Sequence, residues 1–222
     1  MGEKIEIRDA IRNKIKWLES ANQENISIFR ENVLDDLETL YEAKNADYGG
    51  AADRTFEKFG IDSYLVRMFD KINRIQTLSK SDVTVKVDEK LVETCEDLIN
   101  YCFLLFASVH TYEYSAAKIM LDEKFLLLHS RHYNNNFDMS IWNPDYVDII
   151  MDDIRDIKLD ITYTRGFADN LDQGEYRNVR VPREDLPRLM LHLTTIIDNC
   201  LTYITSEHMY NSSRTEKVEE IL

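Results

Sequence analysis

Glycine and proline are scarce in this chain of 222 residues, with six of the first and three of the second. That scarcity excludes a turn-rich β-sandwich or barrel and points to long helices. No apolar run approaches the roughly 18 residues of a membrane-spanning helix, so no membrane association is expected. The N-terminus, MGEKIEIRDAIRNK, is charged throughout and lacks the apolar stretch of a secretory signal. Cysteine is limited to Cys95, Cys102 and Cys200, all in apolar helical stretches. They read as small core residues in a reducing, cytoplasmic setting, not as a disulfide or zinc framework. Positive charge is also short: the net charge is −14. Direct nucleic-acid binding and attraction to anionic membranes are disfavoured. Solubility, a divalent cation or a basic protein partner remain compatible with it.

What is present is helical periodicity. Ile7, Ile11, Ile15 and Leu18 predict a helix from about Ile5 to Glu19. A second is predicted from a Ser27 cap to about Asn45, with Phe29, Val33, Leu37, Leu40 and Tyr41 inward and Glu31, Asp35, Glu38 and Glu42 as an acidic stripe. DYGGAADRTFEKFG reads as a loop. Further helices follow from about Asp62 to Leu78 (Phe69 facing inward), Asp88 to His110, Tyr112 to Leu128, Pro144 onward, and Arg183 to Ser206. The tail after Ser206 is expected to fray. ITYTRGFADNLDQGEYRNVRVP, with β-branched and aromatic residues flanking an Asp/Asn/Gly segment, reads as a hairpin or long loop. The expected fold is an all-α bundle of about seven helices with room for one short β-hairpin. Two parts are expected: residues 1–110 and a helical extension, 111–222, packed on them.

Chemistry concentrates in the first part. Glu93, Asp97 and Asn100 share a face of a helix that is otherwise greasy. Inward carboxylates there need a partner or a metal; otherwise they form a wet edge at a helix start, where acids suit the macrodipole. Glu38 and Glu42 offer a second carboxylate pair. Two such helices can cage Mg²⁺, or Mn²⁺ in its place, through oxygen ligands. Lys44, Lys71 and Arg74 would sit at the rim as phosphate counter-charges. Asn100 would orient a ligand or contact substrate. Asp47, past the helix end, could reach the same ion; Tyr48 could stack on a base or pack. Gly49 and Gly50 would let the loop close over a substrate. No P-loop or Rossmann glycine pattern occurs.

KNADYG at 44–49, LVRMFDKINRI at 65–75 and ETCEDLINYC at 93–102 follow in that order. Together they resemble the all-α NTP pyrophosphohydrolase superfamily of MazG and dimeric dUTPases, and more closely its phage-rich nucleotide-modification-associated branch. The resemblance implies Mg²⁺-dependent cleavage between the α- and β-phosphates of an NTP or dNTP, giving a monophosphate and pyrophosphate. It carries metal ligation onto Glu93, Asp97 and Asp47, and phosphate contacts onto Lys71 and Arg74. Lys44, Asn45, Tyr48 and Asn100 complete the expected substrate contacts, and Glu42 or Glu38 the proton acceptor. The superfamily's spacing makes Glu96 a rival to Asp97 as ligand, and homo-oligomerisation is implied. The alternative function is an acidic phage binding protein, an inhibitor or DNA mimic, on an inactive version of the fold.

Overall fold

The computed structural model describes residues 13–18, 20–48, 50–78, 91–111, 113–129, 144–157, 159–165 and 175–219. Among the described residues the architecture is an all-α bundle with one two-stranded hairpin. Its elements are α1 (13–18), α2 (Gln23–Tyr48), α3 (Ala51–Phe59), α4 (Asp62–Leu78), α5 (Leu91–Phe106), one π-helical turn (Ala107–Thr111), α6 (Tyr114–His129), α7 (Pro144–Arg155), β1 (Asp160–Arg165), β2 (Glu175–Arg180) and α8 (Leu186–Glu219). The first half of the expected N-terminal helix lies outside the described residues, as does the 79–88 connection.

The centre of the bundle is α5. Leu98, Ile99, Cys102, Phe103, Leu105 and Phe106 are all essentially inaccessible, which is what a helix apolar on nearly every side requires. It packs against α4 on one side and α8 on another, and α8 also covers α6. One continuous core joins residues from both halves of the chain, from Leu34 and Leu65 to Leu193 and Ile204. All three cysteines are free and buried in it.

Several boundaries differ from expectation for identifiable reasons. Helix α2 is capped by Asn22, not Ser27: the Asn22 Oδ1 accepts from the Glu24 N–H at 2.9 Å. Leu40 and Phe69 are exposed, on the edges of their helices' apolar stripes. The expected loop after α2 is the helix α3. Gly50 adopts the left-handed conformation (φ 71°, ψ 32°), which breaks α2, and its carbonyl accepts the Arg54 N–H at 3.2 Å to open α3. Helix α3 is nine residues long and buries Phe56 alone, so it is too short to stand out between two glycines. At the other end α8 continues to Glu219 instead of fraying after Ser206. Trp17 meets Tyr210 edge-on at 5.7 Å, so α1 supports part of that extension.

The hairpin pairs Asp160 with Arg180 and Arg165 with Glu175 in antiparallel register. It is tied to the bundle where the Val181 N–H donates to the Val109 carbonyl at 3.0 Å. That carbonyl belongs to the π turn, whose wider winding leaves backbone groups without ordinary helical partners.

Candidate functional site

Helices α2, α4 and α5 contribute one wall each to a pocket of about 430 Å³. From α2 come Tyr41, Lys44 and Asn45, spaced i, i+3, i+4 and so on one face. Arg67 and Tyr64 come from α4, and Asp97, Asn100, Tyr101 and Leu104 from α5 at the same helical repeat. Ala51, Ala52 and Thr55 of α3 close the side that the sequence alone left as loop. The pocket wall combines aromatic and aliphatic groups with the charges of Lys44, Arg67 and Asp97.

That charge centres on Asp97. Its Oδ2 accepts from the Lys71 ammonium at 2.7 Å and its Oδ1 from Lys44 at 3.4 Å. The lysines come from different helices, so the α2 and α4 basic positions converge on the α5 acid. Arg67 adds a third cation, 5.9 Å from the centre of the Tyr101 ring. Arg74, half-buried one turn beyond Lys71, is outside the pocket wall. Glu96 lies beside this group; burial, then the charges of Glu93 and Asp97, hold its carboxyl above the usual range.

The expected acids of α2 sit apart from this group. Glu38 is engaged by the Lys118 ammonium of α6, which also bonds Asp35 at 2.9 Å. The Lys118 and Ser115 hydrogen bonds hold the Glu38 carboxyl below the ordinary value. Burial pulls Lys118 down, but the bonds to Glu38 and Asp35 outweigh it and raise its pKa. Glu42, Asp47 and Glu93 are exposed. Tyr48 closes α2, and its side chain lies outside the described set. Among the described residues, no three His, Cys, Asp or Glu side chains come close enough to share one ion. The donor types suit a hard cation, but a four-carboxylate cage from α2 and α5 is not preassembled. Lysines occupy its two inner members.

Tyrosines are what the sequence reading missed. Tyr41 stacks flat on Tyr114 of α6, with ring centres 4.1 Å apart and planes 9° from parallel. The Tyr114 hydroxyl donates to the Asn100 Oδ1. Tyr64, whose hydroxyl lies 3.1 Å from the Ser108 hydroxyl, has its pKa pushed up to about 12 by burial. Tyr41 (i−3 from Lys44) and Tyr101 (i+4 from Asp97) were findable by extending the helical repeat from the charged residues. Tyr114 was not, because only the packing of α6 brings it there.

Among the described residues, no helix is long and apolar enough to cross a membrane. Comparison with curated proteins and with solved structures returned no match. Residues 44–109, which hold Lys44, Arg67, Lys71, Asp97 and Asn100 but neither Tyr41 nor Tyr114, match the family described as nucleotide modification associated domain 1.

Proposed function

We propose that the pocket binds a nucleoside triphosphate, a dNTP by preference, and that the protein hydrolyses it to the monophosphate and pyrophosphate. One observation carries this reading: two lysines from separate helices meet one aspartate in the wall of a pocket that three tyrosines also line. Cations there suit phosphate oxygens, and Tyr41, Tyr101 and Asn100 suit a base and sugar. The match to a nucleotide-associated family over the residues forming most of the pocket supports it.

In this reading an arriving triphosphate draws Lys44 and Lys71 onto its own oxygens and releases Asp97. Mg²⁺ (or Mn²⁺) bound near Asp97, with Glu93 and the half-buried Glu96 on the same helix, would neutralise phosphate charge and acidify a bound water. Lys44, Lys71 and Arg67 hold the departing pyrophosphate. The proton acceptor is Glu42, exposed one turn before Asn45, with Glu38 behind it. Residues 111–222 act as an extension that covers the nucleotide unit, and the chain works as a homo-oligomer, which sedimentation measures.

The test is pyrophosphate release from a dNTP panel, with Mg²⁺ and with chelator. Turnover is expected only with the metal, and Asp97→Ala is expected to abolish it while the helical circular dichroism stays unchanged. Metal-independent turnover, or full turnover in Asp97→Ala, overturns the mechanism. The net charge of −14 favours a second reading, an acidic module that captures a basic protein. Tight, salt-sensitive capture without any turnover would select it.

A further inference from the structure

The bond between Tyr114 and Asn100 has a direction, and that direction fixes what the pocket presents to a ligand. Asn100 is 7% exposed and Tyr114 5% exposed. The Tyr114 hydroxyl donates to the Asn100 Oδ1. A primary amide has one acceptor end and one donor end. With Oδ1 occupied, the end left for the pocket is Nδ2, which makes no hydrogen bond among the described residues.

The tyrosine is positioned and protonated to make this donation. Its ring is clamped between the Tyr41 face at 4.1 Å and the Phe103 edge at 5.5 Å. Burial, then the nearby Glu38 charge, pushes its pKa far above the ordinary phenol range, so the hydroxyl keeps its proton. Tyr114 lies outside the family-matched residues 44–109, so this device comes from the rest of the chain.

We propose that Tyr114 is a positioning residue for ligand choice. By holding the Asn100 amide in one orientation, it makes the pocket favour a nucleotide whose base offers a carbonyl oxygen over one that offers an amino group. This rests on the reading of the pocket as a nucleotide site. A carbonyl accepts from Nδ2–H, whereas an amino group sets donor against donor and leaves both unsatisfied in a dry wall.

Uracil and cytosine differ at that kind of edge while sharing size and ring. The test is calorimetric titration of the full chain with the α,β-imido analogues of dUTP and dCTP. The wild-type protein is expected to bind the dUTP analogue about tenfold more tightly. Tyr114→Phe keeps the ring and its stack on Tyr41 but releases the amide, and should bring the ratio to within about twofold. Asn100→Asp turns the presented end into an acceptor and should reverse the preference. A Tyr114→Phe protein that binds and keeps the wild-type ratio overturns the proposal, as does a wild-type protein that binds both analogues equally. A wild-type protein that binds neither overturns the nucleotide reading as well, which separates the two failures. Should Tyr114→Phe not fold, the Asn100→Asp preference decides: reversal supports the positioning role and an unchanged ratio overturns it.

Discussion

Lys71 and Arg74 lie three residues apart on α4, and Lys71 bonds the pocket-lining Asp97 at 2.7 Å, whereas Arg74 is not part of the pocket wall. Lys71→Met should therefore weaken binding of a non-hydrolysable dNTP by about tenfold or more, since a hydrogen bond to a charged group contributes about 1.5–3 kcal/mol. Arg74→Met should change it by less than about threefold. Equal effects in titration would show that proximity to Asp97 is not what matters. Lys118 is different in kind, since it joins α6 to the acidic stripe of α2 through Asp35 and Glu38. The Glu38 pKa is depressed, so this pairing stabilises the fold above the ordinary carboxylate value and loses its effect as pH falls through the folded-state pKa. In Lys118→Met, melting temperature should drop at neutral pH and depend less on pH below about 4.5 than in the wild type. Parallel melting curves for the two proteins would argue against this pair as the cause.

At the scale of elements, α3 is bounded by two glycines with different needs. Gly50 is left-handed at φ 71°, a region Asn tolerates. Gly60, at φ 66° and ψ −152°, sits where essentially only glycine is stable. Nothing lies within 4 Å of a Cβ added at Gly60, so any penalty there is backbone strain and not a clash. Gly60→Ala is predicted to lose about 1–3 kcal/mol in urea unfolding, and Gly50→Asn well under about 1 kcal/mol. Because α3 supplies Ala51, Ala52 and Thr55 to the pocket, Gly60→Ala should also weaken nucleotide binding. This element was the clearest loss in reading the sequence. Glycine density reads as loop, whereas the two glycines are the stops that set a short helix between its neighbours. The opposite holds for α4, whose Asp62–Leu78 span was legible because Leu65, Met68, Ile72 and Ile75 repeat without a break and all are buried.

At the scale of the whole molecule, the core runs through both halves and ties distant titrating groups to one unfolding event. His110 on the π turn has its pKa lowered, first by burial and then by the Arg180 charge of β2. His192 on α8 is lowered by burial, against the opposing pull of Asp153, whose Oδ2 is 3.2 Å from its Nε2. Unfolded, both take up protons near their ordinary value of 6.5; folded, they resist until a lower pH. Their contribution is thus complete above about pH 6.5 and declines as pH falls through the interval down to the folded values. Melting temperature should fall between pH 7.5 and 5.5, and a His110→Gln, His192→Gln double variant should show a flatter profile over that interval. An unchanged slope in the variant would remove both histidines from the account.

The sequence by itself determined that this chain is an all-α bundle, because helix periods and scarce glycine and proline are local signals; the β-branched segment around a turn left a hairpin and a long loop both open, and the structure chose the hairpin. It also marked Lys44, Lys71, Asp97 and Asn100, since each stands out from its own helix. Which of these meet was decided by the tertiary structure alone. Ion pairing between α2, α4 and α5 put two lysines on Asp97, and pairing between α2 and α6 put Lys118 on Glu38. The packing of α6 on α5 brought Tyr114 against Asn100. Such contacts depend on how helices pack across long stretches of chain, and no spacing along the sequence encodes that distance.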